Sequence, residues 1–455
     1  MYFSSGNKGG GARLKYRRQE VVTGDTLEGQ RSLDQLFDEL IIQRRIFKDK
    51  EVLRDSYIPT LLPHRDHQIN ELATILVSAV KGETPSNIFI YGKTGTGKTA
   101  VTSHVGEGLV HRAGGCCFTR PFGTKMEVKK VDMPLSVWFI YANCEIVDTQ
   151  YRLLAKLAEY MGQSVPLTGW PTDKVYECFV RALDKKERLV IVVLDEIDRL
   201  LRKGSDSVLY NLTRINSDLK QAKVSIIGIS NDLNFIEFLD PRVRSSLGEE
   251  ELVFPPYHAE QLVDILSHRA AEAFHENALD AGVIPLCAAF AAQEHGDARR
   301  ALDFLRIAGE FAERERASKV TEKHVRIAKN RIEQDRATEV IKTFPTQSKF
   351  VLFAIMLLEK YNGSAITTGE TYNVYKDLCR LSKVDILTQR RVSDIISELD
   401  MMGIVNATVV SKGRYGRTKE IRLGVPINQV KSVLEKHHKL ERIVNFVPPV
   451  QRKLV

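Results

Sequence analysis

The hydrophobic pattern of the chain changes character along its length. Between residues 86 and 254, short apolar runs typical of buried parallel strands alternate with amphipathic stretches typical of helices. The apolar runs predict strands at residues 88–91, 137–143, 189–194 and 224–229. From about residue 259 to 340 the apolar positions recur at helical spacing alone. The pattern therefore predicts an α/β domain followed by a small helical domain.

The last part of the chain, after Phe344-Pro345, has a third pattern. Helical periodicity covers about residues 348–361, 370–381 and 389–402, and two strand-like runs follow at 404–410 and 419–423. Three helices followed by a β-hairpin predict a winged helix-turn-helix domain.

A glycine-rich loop joins the first predicted strand to the helical segment after it. Residues 92–99 fit the pattern G-x-x-x-x-G-K-T at every fixed position. In such a loop the backbone N–H groups point at phosphate oxygens, the lysine reaches the β- and γ-phosphates, and the threonine hydroxyl binds Mg²⁺. The chain is therefore predicted to bind a nucleoside triphosphate with Mg²⁺ through Gly92, Lys93, Thr94, Gly95, Thr96, Gly97, Lys98, Thr99 and Ala100.

Polar residues follow two other predicted strands. Asp195 and Glu196 come after residues 189–194, and Asn231 comes after residues 224–229. Ligands of open parallel sheets gather at the carboxyl edge of the strands. There Asp195 can hold Mg²⁺, Glu196 can polarise the attacking water and Asn231 can orient it. The alternative is that the two acids only cap the next helix.

For two segments, the sequence allows either a functional or a structural role. Tyr57, Ile58 and Pro59 either wall an adenine pocket or pack against the edge of the sheet. Arg242 follows Asp240-Pro241 and either neutralises a transferring phosphate in a neighbouring subunit or belongs to a solvated basic turn.

The net charge of +8 favours a polyanionic partner, and the position of the basic residues sharpens that prediction. The candidate DNA-binding residues are Gln389, Arg390 and Arg391 at the start of the third helix and Lys412, Arg414, Tyr415 and Arg417 in the hairpin. A basic wing beside a basic helix start is typical of a double-stranded DNA binder. Winged folds also mediate protein contacts, which is the alternative.

Composition predicts the general class of the protein and its cellular compartment. A chain of 455 residues with 43% hydrophobic and 27% charged residues is typical of a soluble protein of two or three domains. No apolar run is long enough to span a membrane, and the N-terminus lacks an apolar signal core. The six cysteines show no Cys-x-x-Cys spacing, which predicts a cytoplasmic protein without a zinc site or disulfide framework.

From about residue 50 onward, these motifs and their order resemble the archaeal replication initiators of the origin-recognition-complex and cell-division-control type. The resemblance implies an α/β AAA+ P-loop domain with a helical lid and a C-terminal winged helix-turn-helix domain. We accordingly divide the chain into a flexible basic tail (1–30), an AAA+ base domain (31–254), a lid domain (255–342) and a winged-helix domain (343–455).

The resemblance also implies roles for individual residues. Asn231 matches the first sensor, and Arg242 matches the arginine finger, with Arg244 as the alternative. Arg299, in the sequence Gly-Asp-Ala-Arg, matches the second sensor, which contacts the γ-phosphate in the same subunit. Arg152 falls in a helix that the family inserts into the AAA+ domain to touch DNA.

The function implied by the resemblance is a slow ATPase whose ATP or ADP state switches binding to origin double-stranded DNA. Its partners would be the MCM helicase and other copies or paralogues of the initiator, at the nucleoid. The alternatives are an ATP-regulated winged-helix transcription regulator and an oligomeric motor of the clamp-loader kind. Two departures from the family are Asp66 in place of glutamate and a longer connection over residues 114–134.

Overall fold

The central sheet has seven strands in the order β3-β2-β4-β5-β6-β1-β7. They are β1 (Ile88–Tyr91), β2 (Cys117–Thr119), β3 (Lys125–Met126), β4 (Ser136–Asn143), β5 (Arg188–Asp195), β6 (Ala222–Ser230) and β7 (Glu250–Val253). All neighbouring strands are parallel except β2 and β3. The computed structural model describes residues 46–113, 117–119, 125–126, 136–166, 168–202, 206–233, 235, 239–247, 249–362, 366–411, 417–443 and 446–448.

The four predicted strands are present, and three further strands were not predicted. Strands β2 and β3 lie in the connection between residues 114 and 134, and β7 carries two exposed glutamates at the edge of the sheet. Neither segment has a long apolar run. Strand β6 lies between β1 and β5, so that the P-loop, the acidic pair and Asn231 leave the sheet at the same edge.

Helices cover both faces of this sheet. They are α1 (Asp66–Leu76), α2 (Lys98–Arg112), α3 (Gln150–Tyr160), α4 (Thr172–Leu183), α5 (Asp198–Arg202), α6 (Asp206–Thr213) and α7 (Pro241–Leu247), with short 3₁₀ helices at Lys50–Leu53, Val77–Lys81 and Ile215–Ser217. Helices α1 and α2 share one core with the sheet, and α3 to α7 share the other. Every residue of β5 is buried because both of its faces are covered.

Four helices form the lid: α8 (Ala259–Ala273), α9 (Val283–Gln293), α10 (Ala298–Arg314) and α11 (Glu322–Thr343). Ile46, Phe47, Val52 and Leu53 are buried in the core of these helices. The Phe47 ring lies 4.7 Å from that of Phe274. The core contacts thus place residues 46–53 with the lid, although our division of the chain assigns them to the base domain. The other boundaries remain predictions.

The winged-helix domain contains α12 (Thr346–Asn362), α13 (Thr368–Ser382), α14 (Gln389–Met401), α15 (Ile427–Leu434), β8 (Ile366–Thr367), β9 (Val405–Ser411) and β10 (Arg417–Leu423), followed by a 3₁₀ turn at Glu441–Ile443. Its three strands are antiparallel in the order β8-β10-β9. The predicted helices and hairpin are confirmed, and the structure adds β8 and α15. Helix α11 joins this domain to the lid without an intervening loop, because Val325 and Ala328 lie in the lid core and Ile341 lies in the winged-helix core.

Of the helices in the described part of the chain, none has the length and apolar character that crossing a bilayer requires.

Candidate functional site

A cavity of about 350 Å³ lies between the carboxyl edge of the sheet and the lid. Its wall includes thirteen of the residues that the sequence singles out: Tyr57, Ile58, Pro59, Gly95, Thr96, Gly97, Lys98, Thr99, Ala100, Asp195, Glu196, Asn231 and Arg299. The fold therefore gathers residues from five separate segments around one cleft.

The glycine-rich loop holds the side-chain amine of its own lysine. The Lys98 amine donates hydrogen bonds to the carbonyl oxygens of Gly92 (2.7 Å) and Lys93 (2.8 Å). Gly95 (φ 70°) and Gly97 (φ 89°) have left-handed conformations that favour glycine. Burial lowers the pKa of Lys98 to about 8, although the nearby Asp195 carboxylate opposes this shift.

The Asp195 carboxylate is held at the end of β5 by three donors. The Thr99 hydroxyl donates to Oδ2 at 2.7 Å, the Tyr141 hydroxyl donates to the same oxygen, and the Glu196 backbone N–H donates to Oδ1 at 2.9 Å. Burial, followed by the charge of Asp195, raises the pKa of Tyr141, so this phenol remains a donor. A hydroxyl and a carboxylate in contact form a donor set suited to Mg²⁺.

Glu196 and Asn231 lie beside Asp195 on the cavity wall. Glu196 has a φ of 54°, in the left-handed region that residues other than glycine seldom adopt. Burial, followed by the charges of Glu145 and Asp195, raises the pKa of its carboxyl group. A strained acid with a raised pKa, facing a cleft, is typical of a functional group.

The lid touches the glycine-rich loop directly. The Ala298 N–H donates to the carbonyl oxygen of Gly95 at 3.2 Å. The Asp297 carboxylate caps α10 by accepting from the N–H groups of Arg299 (2.8 Å) and Arg300 (3.3 Å). A Cβ added to Gly95 would lie 1.7 Å from Asp297 Oδ1, so glycine is required for the lid to approach this closely.

Arg65, which the sequence analysis did not select, supports the loop from behind. Its Nε donates to the carbonyl oxygen of Thr96 at 2.9 Å, and its Nη2 donates to that of Pro255 at 2.7 Å. The guanidinium carbon lies 3.8 Å from the centre of the Tyr257 ring. Arg65 directly precedes Asp66, where the chain departs from the family's Arg-Glu motif, but the sequence analysis gave it no role. Its role depends on contacts with residues 31 and 190 positions away.

A second buried arginine, Arg269, lines the cavity. The guanidinium of Arg269, on α8, lies 4.5 Å from the Tyr57 ring centre and donates to the Tyr57 carbonyl oxygen at 3.3 Å. The Tyr57 hydroxyl donates to Glu272 at 2.9 Å, and His64 contacts Asp264 at 2.8 Å. Residues 57–65 are therefore attached to the lid by several polar contacts.

Several other sequence-selected residues do not line the cavity. Gly92 and Lys93 instead hold the Lys98 amine, and Thr94 belongs to the same turn. Arg242 and the alternative finger Arg244 lie exposed on α7. The Arg242 guanidinium pairs with Asp240 at 3.1 Å and lies 4.9 Å from the Tyr210 ring centre.

The candidate DNA-binding residues lie on two separate surfaces. Gln389, Arg390 and Arg391 are exposed in the first turn of α14, where the Thr388 hydroxyl accepts from the Arg391 N–H at 3.3 Å. Arg152 is exposed on α3 and pairs with Asp148 at 3.3 Å. Arg417 begins β10 opposite Ser411, whereas Lys412, Arg414 and Tyr415 lie outside the described residues.

Sequence reasoning missed Tyr141, Arg65, Arg269 and Asp297. Tyr141 had a usable signal, because it lies near the carboxyl end of a predicted strand and its neighbour Asn143 pairs with Asp195. Asp297 also had one, since an aspartate before an apolar periodic segment is typical of a helix N-cap. Arg65 had a partial signal, because it precedes Asp66 in the family's Arg-Glu motif. Arg269 had none, because only the tertiary fold buries it.

Family models match three consecutive parts of the chain. The AAA ATPase domain matches residues 61–227, the Cdc6 AAA+ ATPase-type lid domain matches 263–330, and the CDC6 C-terminal winged helix domain matches 339–433. These matches confirm the predicted fold class.

Whole-chain relatives show the same relationship. ORC1-type DNA replication protein 1 of Methanosarcina mazei is 58% identical over 427 residues, which cover 93% of this chain and 98% of that protein. The ORC1-type DNA replication protein of Pyrococcus furiosus is 56% identical, with 94% and 99% covered. The Aeropyrum pernix ORC1 protein, solved in complex with DNA, has a TM-score of 0.72 and 46% identity, covering 88% of this chain and 100% of that chain.

The more distant Aeropyrum pernix ORC2 protein, solved as ADPNP–ADP complexes, has a TM-score of 0.54 and 21% identity and shares the fold, with 88% of this chain and 99% of that chain covered. The three domain matches and the close whole-length relatives agree with the motifs of the cleft. The chain belongs to the family of ORC1-type DNA replication proteins, and its predicted membership is confirmed.

Proposed function

We propose that this protein is an ATP-switched replication initiator that binds origin double-stranded DNA through its winged-helix domain. One observation carries the proposal. The lid meets the glycine-rich loop through the Ala298–Gly95 hydrogen bond, and the last lid helix, α11, continues into the winged-helix core. Contacts made at the phosphates can therefore change the position of the DNA-binding domain.

The cleft suits adenine nucleotides with Mg²⁺. In our proposal the Lys98 amine leaves the Gly92 and Lys93 carbonyls to bind the phosphates, and Arg299 reaches the γ-phosphate from the lid. Thr99 and Asp195 hold Mg²⁺, which neutralises phosphate charge. Tyr57, Ile58 and Pro59 contact the adenine ring, because they line the same cavity as the apolar side chains of Leu61 and Ile265.

Hydrolysis in this proposal is slow and serves to reset the switch. Glu196 polarises the attacking water and Asn231 orients it. Arg242 completes the site of a second subunit, which is consistent with its exposed position outside its own cavity. ATP turnover then depends on docking of another copy or a paralogue, because Arg242 acts only on the site of the neighbouring subunit.

The DNA-binding part of the proposal rests on exposure and charge. Gln389, Arg390 and Arg391 occupy the helix turn that enters the major groove in helix-turn-helix proteins. The Aeropyrum pernix ORC1 protein, which is 46% identical, was solved in complex with DNA, and this supports DNA binding by the present chain. Hairpin residues Lys412, Arg414, Tyr415 and Arg417, and Arg152 on α3, would add contacts, and the MCM helicase would be the downstream partner.

The test compares the wild type with Lys98→Ala, with Lys81→Ala as an exposed lysine control. We expect Lys98→Ala to lower ATP affinity by about 100-fold, since it removes a buried charge from the phosphates. Its affinity for origin DNA should no longer differ between ATP and ADP. Fluorescence titration measures the nucleotide affinity, and footprinting on origin DNA measures the second quantity.

Three outcomes would contradict parts of this proposal. Unchanged ATP binding by Lys98→Ala would refute the nucleotide site. Equal DNA binding by the wild type in ATP and ADP would refute the switch. Genome-wide sites at promoters instead of an origin would indicate a transcription regulator.

A further inference from the structure

Arg65 is a buried cation that has only neutral acceptors. It is 2% exposed, and no carboxylate in the described part of the chain forms an ion pair with it. Its guanidinium donates to the carbonyl oxygens of Thr96, Pro255 and His64, at 2.9, 2.7 and 3.3 Å. Burying a charge without a counter-charge is unfavourable, so an anion bound nearby would stabilise the protein.

The contact with Thr96 fixes the orientation of one peptide group in the glycine-rich loop. In a trans peptide the C=O and the following N–H point in opposite directions. Because the Thr96 carbonyl points at Arg65, the Gly97 N–H points away from it, towards the cavity that Gly97 lines. Amides oriented in this way bind phosphate oxygens in glycine-rich loops.

The space behind Gly97 is filled by the same group of side chains. A Cβ added to Gly97 would lie 2.9 Å from the Tyr257 hydroxyl oxygen and 3.8 Å from Arg65 Nε. Tyr257 lies at the start of the lid, and its ring stacks on the guanidinium at 3.8 Å. Arg65 therefore joins the loop to the segment that leads into the lid.

We propose that Arg65 is a positioning residue for the phosphates: it fixes the Gly97 N–H towards them and supplies a buried positive charge across the Thr96–Gly97 peptide. The proposal rests on the nucleotide binding proposed above and assigns part of that affinity to a residue outside the loop motif. Its contribution grows with the negative charge of the nucleotide, from AMP through ADP to ATP, because the effect is electrostatic.

Arg269 provides a matched comparison. It is also buried, at 6% exposure, and stacks on a tyrosine, but it lies against Tyr57 and not against the glycine-rich loop. A substitution of Arg269 should affect AMP, ADP and ATP by the same factor. The ratio of ATP affinity to AMP affinity thus separates the two arginines, and this ratio does not depend on the fraction of folded protein.

The experiment measures AMP, ADP and ATP affinities by competition against a fluorescent ADP analogue. The full-length variants are Arg65→Gln, Arg65→Lys, Arg269→Gln and Lys98→Ala. We expect Arg65→Gln to lower the ATP-to-AMP affinity ratio by about tenfold, as for the loss of a charged hydrogen-bonding group. Arg65→Lys keeps the charge but only one point of contact, so its ratio should fall by about threefold, and the ratio for Arg269→Gln should stay within about twofold.

The affinity ratios either support or overturn the positioning role of Arg65. A lowered ratio in either Arg65 variant, with Arg269→Gln unchanged, supports the role, and Arg65→Lys decides alone if Arg65→Gln does not fold. Ratios equal to the wild type in the folded Arg65 variants overturn it. If Lys98→Ala loses ATP while the Arg65 ratios stay unchanged, only this inference fails; if the wild type binds no ATP, the proposed function fails.

Discussion

The nucleotide cleft and the start of helix α14 place their charges in opposite ways. Lys98, Asp195 and Arg65 are buried, and each is held by two or more hydrogen bonds within the fold. Arg390 and Arg391 are exposed on the helix surface. The cleft therefore holds its charges in a fixed geometry, whereas the helix presents exposed charge at a surface.

This difference predicts different responses to mutation. Removing one group from a preorganised, buried site leaves its partners unsatisfied, so the loss is large and specific. Removing one exposed cation from a DNA-binding surface changes affinity by a modest amount that depends on salt. Substitutions in the two regions, and a change of pH, therefore test whether the cleft and the helix differ in this way.

The largest effect is expected for Glu196→Gln, which removes the carboxylate but keeps the shape. ATP turnover should fall by about 100-fold or more, because the general base is lost, while ATP affinity changes by less than about threefold. Steady-state phosphate release and nucleotide titration measure the two quantities. A variant with wild-type turnover would show that another group activates the water.

The second prediction concerns pH and has an intermediate effect. Burial lowers the pKa of Lys98 to about 8, so the amine of the nucleotide-free site loses its proton as the pH rises above that value. Phosphate binding requires the ammonium form, and ATP affinity should therefore fall by about fivefold between pH 8 and pH 9. Calorimetry in two buffers of different ionisation enthalpy should detect proton uptake on binding at pH 9.

Lys98→Arg is the control for this pH effect, because an arginine stays charged throughout the range. Its ATP affinity should be nearly constant between pH 7 and pH 9. Binding without proton uptake by the wild type at pH 9 would contradict the assigned cause.

The smallest effect is expected for the two neighbouring arginines of α14, and it concerns the salt dependence of DNA affinity. Arg391 Nη1 lies 3.5 Å from Glu398 and 4.0 Å from Asp394, so part of its charge is already compensated. Arg390→Gln should lower the slope of log affinity for DNA against log salt by about 0.9, and Arg391→Gln should lower it by less. Glu398→Gln should increase affinity. Equal slopes for both arginine variants would contradict this ranking.

The sequence predicted the elements whose signal is local. The apolar runs located four strands, and the spacing of Gly92, Lys98 and Thr99 located the glycine-rich turn before α2, because both signals lie within a few consecutive residues. The lid and the winged helix followed from helical periodicity and were confirmed by the family matches.

Features that depend on distant contacts were not predictable. Strand β7 has only one buried residue and forms because β1 offers it a parallel edge. Residues 46–53 pack with the lid because Phe47 contacts Phe274, which lies more than two hundred positions later in the chain. Arg65 becomes part of the site only when the fold brings Thr96, Pro255 and Tyr257 around it. In each case the partner, and not the segment itself, determines the structure.

The continuity of α11 has a mechanical consequence. Its 22 residues correspond to a rigid rod of about 33 Å between the two cores that it joins. A tilt of about 10° at the nucleotide end would sweep the far end through about 6 Å, more than the rise of one base pair. In the proposed switch, a rearrangement of the hydrogen bond between Ala298 and Gly95 would thus be amplified geometrically into a shift of register along a double helix.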